Sequence, residues 1–123
     1  MILVDTSVWI DHFRREDEEL GALLDMNAVL SHELVIEELA CGHIPNRSET
    51  IALLRLLPLA PRAEHDEILR YVDSHKIVAS GIGCVDVNLL ASASLSGASI
   101  LTHDKALRRV ASKLRLLHGL PAH

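Results

Sequence analysis

Met1-Ile2-Leu3-Val4-Asp5-Thr6-Ser7-Val8-Trp9-Ile10-Asp11 is the stretch that decides the fold. An aliphatic run too short for a helix ends in an acid, two hydroxyl residues follow, and a helical pattern begins. Ile2–Val4 reads as a short buried strand and Ser7–Phe13 as a helix behind it, with Thr6 or Ser7 as its cap. An acid at the carboxyl end of a strand stands where open parallel sheets build their ligand sites.

The same alternation runs to the end of the chain. Further strands are expected at Ala28–Leu30, Leu56–Leu59, Ser99–Thr102 and Arg115–Leu117. Helices are expected at Glu16–Leu24, His32–Cys41, Arg47–Arg55, Glu64–Val78, Cys84–Ser96 and Lys105–Lys113. Short apolar strands between amphipathic helices make βα units, and right-handed crossovers place helices on both faces of a parallel sheet. The expected class is therefore α/β, with a central, mostly parallel sheet of about five strands. Ser31 should cap the third helix and Gly42 should close it. Pro58 limits its strand to a short or edge role. In the sixth helix Ala91, Ser92, Ala93, Ser94 and Gly97 permit close approach to the sheet, as a central helix needs.

Composition bounds the function. Residues 1–123 are read as one domain, and an apolar fraction of 49% is ample for a core and excludes disorder. A net charge of −5 excludes a globally basic nucleic-acid binder but allows a local basic patch. Cys41 and Cys84 form no C-x-x-C pair and read as reduced cysteines. No basic segment precedes an apolar one at the start, so no signal peptide is expected. The most apolar stretch, Leu89 to Leu101, carries several Ser and a Gly and falls short of the roughly 20 residues a membrane span needs. A soluble, cytoplasmic protein without membrane contact is expected.

The chemistry rests on Asp5, Glu38, Asp86 and Asp104, which lie far apart in sequence. Asp5 and Asp104 end strands and open helices, so each can cap a helix as well as face a ligand site. Glu38 is preferred over Glu37 because Leu34, Val35 and Leu39 flank it on the helix, whereas Glu37 has Glu33 at i−4. Asp86 falls in the first turn of its helix, where the dipole favours an acid. Like charges about 4 Å apart repel by roughly 4 kcal/mol at an effective dielectric of 20. A divalent cation reverses that term, and all-oxygen ligation suits Mg²⁺ or Mn²⁺ rather than zinc. Such an ion lowers the pKa of water and steadies a leaving oxygen, which is phosphodiesterase chemistry. The last helix adds Leu107, Val110, Ala111 and Leu114 on one face and Lys105, Arg108, Arg109 and Lys113 on the other. That basic stripe starts beside Asp104 and suits the backbone of RNA, with Arg14 and Arg15 as further contacts.

These segments resemble the PIN-domain nucleases of the VapC toxin type. The opening Met1-Ile-Leu-Val-Asp-Thr-Ser-Val-Trp-Ile-Asp11, Glu38-Leu39-Ala40-Cys41-Gly42, Asp86 followed by Leu89-Leu90-Ala91-Ser92-Ala93, and Leu101-Thr102-His103-Asp104 are similar to that family's motifs, in order and spacing, over nearly the whole chain. The resemblance implies a three-layer α/β/α PIN-like fold around the sheet. It implies an endoribonuclease dependent on Mg²⁺ or Mn²⁺ that cleaves RNA phosphodiesters with metal-activated water, and a toxin role in a type II toxin-antitoxin pair. It also implies a VapB-like antitoxin as partner, and a homodimer. Asp5, Glu38, Asp86 and Asp104 match the family's acidic quartet, and Thr102 with Thr6 or Ser7 its supporting hydroxyls. In one departure, many relatives carry a further Asp or Asn just after the last acid, where Lys105, Ala106 and Leu107 stand here. The second-metal side of the site is thereby left unassigned.

Other signals are weaker. The eight histidines contain no H-E-x-x-H or structural-zinc spacing and read mostly as surface residues, with His103 singled out because it flanks Asp104. Trp9 reads as packing rather than base stacking. Two competing functions are a PIN-type nuclease of RNA processing outside toxin biology, and a metal-dependent binding module without hydrolysis. Asp5-Thr6-Ser7 partly matches a D-x-S-x-S metal-adhesion loop, but Trp9 stands where the second Ser belongs.

Overall fold

The computed structural model describes residues 1–119. The elements run β1 (Ile2–Val4), α1 (Thr6–Arg14), α2 (Glu18–Asp25), β2 (Val29–Leu30), α3 (Glu33–Cys41), α4 (Arg47–Leu54), α5 (His65–Ser74), α6 (Cys84–Ser96), β3 (Ser99–Leu101) and α7 (Lys105–Lys113). The sheet is parallel, in the order β2-β1-β3, with Leu3 opposite Leu30 on one side and Ile100 on the other. β1 is thus the central strand, and Leu3 and Val4 are fully buried. The chain builds outward from β1 in both directions, so the carboxyl end of β1 is the switch point of the sheet.

The sheet has three strands among the described residues, not five. The expected outer strands survive as single parallel bridges, Ser31 with Leu59 and Ile100 with Leu117. Ser31 bonds Pro58 O (2.8 Å) and Ala60 N (2.8 Å), while Ile100 bonds Leu116 O (2.7 Å) and His118 N (2.8 Å). Pro58 has no N–H with which to extend a ladder. Arg115, at φ 59°, turns the chain only two residues before Leu117.

Helix ends account for the other departures. The pairing of Ser31 leaves His32 as the cap of α3: its Nδ1 accepts the Leu34 N–H at 3.0 Å. Gly42 follows α3 at φ −104°, an ordinary value rather than the left-handed one expected of a closing glycine. α5 stops at Ser74 instead of reaching Val78, because Lys76 turns left-handed (φ 55°) and the Ile77 N–H bonds Val72 O at 3.0 Å. That turn drives Ile77 into the core, at 5% exposure. α6 is buried continuously from Val87 to Ala93, as the small side chains anticipated, and packs on β3 and α5. Among the described residues no helix is long and apolar enough to cross a membrane.

Candidate active site

Asp5 sits at the switch point with 4% exposure. Its backbone N–H reaches across to Leu101 O (2.9 Å), tying the end of β1 to β3. Its Oδ2 accepts hydrogen bonds from Ser7 Oγ (2.6 Å) and Thr102 Oγ1 (2.8 Å), and a longer one from the Ser7 N–H (3.4 Å) that caps α1. Each hydroxyl has a single proton to give, and both are spent on this carboxylate. Their oxygens in turn accept the N–H of His103 (to Ser7, 3.0 Å) and of Asp104 (to Thr102, 3.0 Å). The loop between β3 and α7 is therefore fastened to the end of β1. Asp5 Oδ1 accepts no hydrogen bond from the described residues, and neither does Oδ1 of Asp104, whose Oδ2 caps α7 through the Leu107 N–H (2.8 Å).

Glu38 comes from α3, where its Oε1 accepts the Thr6 hydroxyl at 2.6 Å. Asp86 comes from the first turn of α6, where Oδ2 accepts the Gly83 N–H at 3.4 Å. Burial raises the Asp86 carboxyl, and the negative charge of Asp5 raises it further. Asp104 and Glu38 add to the shift, the Gly83 N–H opposes it, and the result is about 6. The negative charges of Asp5, Asp104 and Glu38 thus all reach the Asp86 carboxyl. Among the described residues, however, no three acidic, His or Cys side chains close around a common point as a coordination sphere would. The donor set is nonetheless that of a hard dication: all oxygen, several carboxylates, and a like-charge penalty relieved by a positive ion.

The sequence profile of the PIN domain matches residues 2–113. Over 109 residues the chain is 48% identical to Ribonuclease VapC32 of Mycobacterium tuberculosis, in strains CDC 1551 / Oshkosh and ATCC 25618 / H37Rv, covering 88% of each sequence. The chain belongs to the VapC family of PIN-domain proteins. Its fold is also similar to the crystal structure of PAE2754 from Pyrobaculum aerophilum, with a TM-score of 0.64, 17% identity, and coverage of 94% of this chain and 93% of that one. At that identity the likeness is one of fold alone.

The rest of this PIN domain sorts the other candidates. Lys105, Arg108, Arg109 and Lys113 lie on the exposed side of α7. Arg108 donates to Thr102 O (3.3 Å) and Arg109 to Ser80 O (2.8 Å), so two of the four are also tethers. Arg14 and Arg15 are exposed at the end of α1. Trp9 is 4% exposed and packs against Phe13, so it is a core residue. An apolar groove of about 440 Å³ that Trp9 lines with Leu24, Leu53 and Leu56 holds none of the acids and is not where the chemistry lies.

Two features escaped the sequence. His103 Nδ1 meets Asp11 Oδ2 at 2.6 Å and Nε2 lies 3.5 Å from Asp17 Oδ2, so this ring joins α1 and the start of α2 to the β3–α7 loop. The i, i+6 spacing of Asp5 and Asp11 carries no helical signal that pairs them, and nothing local predicts the reach to His103. His32, grouped with surface histidines, is fully buried and bonds Ser92 Oγ of α6 at 3.0 Å. Its one local sign is a polar residue between an apolar run and a helix.

Proposed function

We propose that residues 1–123 act as one three-layer PIN domain: a metal-dependent endoribonuclease, the toxin of a type II toxin-antitoxin pair. The observation that supports the catalytic reading is Asp5 itself, buried at the switch point with one carboxylate oxygen held by Ser7 and Thr102 and the other accepting no hydrogen bond from the described residues. The name Ribonuclease VapC32 supports RNA as substrate and a VapB-like antitoxin as partner. Asp5, Asp86 and Asp104 would hold Mg²⁺ or Mn²⁺, with Glu38 as a further ligand or orienting base. When bound, the ion supplies Lewis-acid polarisation of a phosphodiester and eases the ionisation of water.

The chain's own groups do the positioning. Ser7 and Thr102 fix one oxygen of Asp5 and leave the other free. Thr6 orients Glu38, whose exposed carboxylate can take a proton at the mouth of the cleft. Capping of α7 holds Asp104, with the positive end of the helix dipole behind it. Lys105, Arg108, Arg109 and Lys113 hold the RNA backbone beside that cleft. Exposed apolar side chains such as Leu53 (65%) and Leu56 (80%) offer surface to the antitoxin and to a second copy in a homodimer. Asp5→Asn keeps the size and the hydrogen bonds of the site but removes its central charge. Purified variant protein should retain the parent's circular dichroism and lose RNA cleavage in Mn²⁺. Cleavage at the parent rate, or cleavage by the parent in excess EDTA, would overturn the mechanism.

A further inference from the structure

Between the loop that follows α5 and the C-terminal half of α7 lies a second pocket, of about 290 Å³, lined by His75, Lys76, Ser80, Arg109 and Lys113 over an apolar wall. None of its lining residues is acidic, although the chain has 17 Asp and Glu against 12 Lys and Arg. Cations gathered in an acidic protein repel one another unless an anion joins them. The walls are also fixed in advance. Arg109 Nη2 is anchored on Ser80 O at 2.8 Å, and Lys76 occupies the left-handed position (φ 55°) that ends α5. Ser80 Oγ is buried without a partner among the described residues, an unmet donor at the pocket wall.

The pocket is near the acids but separate from them. At 1.5 Å per residue, Arg109 and Lys113 lie about 8 and about 14 Å along α7 from its cap, Asp104. Ser80 is three residues from Gly83, whose N–H bonds Asp86, a span of at most about 10 Å. We propose that this pocket binds a phosphodiester of the single-stranded RNA substrate at least one nucleotide from the bond that is cut. This rests on the ribonuclease reading above. It adds Lys76, from the loop before α6, to the stripe on α7, and gives Arg109 the role of a wall held in place.

The test uses the full chain carrying Asp5→Asn, so that RNA survives, and follows the anisotropy of a fluorescein-labelled single-stranded RNA across a salt series. The double change Lys76→Gln, Lys113→Gln should weaken binding and reduce the slope of log affinity against log salt by about 0.7, one single-strand phosphate contact. Arg55→Gln, which removes an exposed charge elsewhere, should leave the slope as it was. An unchanged slope in the double variant overturns the pocket. So does a failure of the Asp5→Asn parent to bind RNA at all. Backbone amide shifts at residues 76, 109 and 113 should move with RNA; movement with inorganic phosphate alone would make this a free-anion site and overturn the RNA assignment. RNA cleavage by the unsubstituted protein is scored separately. Pocket-dependent binding without any cleavage sinks the catalytic reading and spares the pocket.

Discussion

At the scale of single residues, capping and site-building turn out to be one job. Asp5 and Asp104 each cap the helix that follows them, and in each case one oxygen is occupied and the other is not engaged by the described residues. The sequence presented these roles as alternatives, since a cap needs only one acceptor and nothing local says where the second oxygen faces. Asp86 shows what the neighbours do. Its folded value, about 6, lies above the ordinary 3.8, chiefly through burial and then through Asp5. A raised carboxyl binds more protons folded than unfolded. Its contribution is therefore most favourable below pH 3.8 and is lost as pH rises through about 6. In metal-free protein the carbon shift of the Asp86 carboxyl should titrate near 6, and Asp5→Asn should bring the midpoint down toward, but not to, the usual range. A midpoint indifferent to Asp5→Asn would mean that the two carboxylates do not share a cleft.

At the scale of elements, where helices are was legible and how they end was not. Among the described residues the helices lie close to where they were expected; α7 has the clearest apolar face to bury, whereas α6 is buried almost all round. Three of them close through a left-handed residue that is not glycine: Asn27 after α2, Lys76 after α5 and Arg115 after α7. Ala28, Ile77 and Leu116 then bond back to Leu23 O, Val72 O and Ala111 O. What selects those turns is the burial of the next apolar residue, a tertiary effect without a local mark. The start of α3 hid a second such effect. His32 Nδ1 accepts the Leu34 N–H, so its proton lies on Nε2 and is donated to Ser92 Oγ. One neutral ring thus caps the helix of Glu38 and joins it to the helix of Asp86. His32→Ala should lose about 2–4 kcal/mol, a cap plus a buried cavity; His32→Asn should recover the part due to the cap. Burial first, and then Arg62, lowers the His32 pKa, against Glu33 and Glu37. The unfolded chain therefore takes up the proton first, and His32 contributes full stability above pH 6.5, lost as pH falls from there toward its lower folded value. Denaturant midpoints from pH 7 to pH 5, measured in an Asp86→Asn background to remove the opposing trend of that group, should show this loss in the parent and not in His32→Asn.

At the scale of the whole molecule, β1 is central, its carboxyl end is the switch point, and Asp5 stands there, tied through Thr102 to the loop that carries Asp104. That much could be read from strand-then-acid patterns at Asp5 and Asp104. The sheet was overestimated because Leu56–Leu59 and Arg115–Leu117 have strand composition but only one paired residue each, and pairing length depends on partners the composition does not describe. Closure of the acids around an ion is a matter of linkage. Mutual repulsion in the cleft opposes the fold, and a dication that binds only the folded state removes it. At a hundred times its dissociation constant, Mn²⁺ should add about 2.7 kcal/mol and raise the thermal midpoint by about 10 °C for a chain of this size. EDTA should reverse the shift. Because the protein carries a net charge of −5, some cation will gather on its surface regardless. The contrast that decides is between Asp5→Asn, which should lose most of the increment, and Glu19→Gln at an exposed position of α2, which should keep it. Equal stabilisation of the two variants would place the ion outside the acidic cleft, and the shared charge of the four carboxylates would then need another explanation.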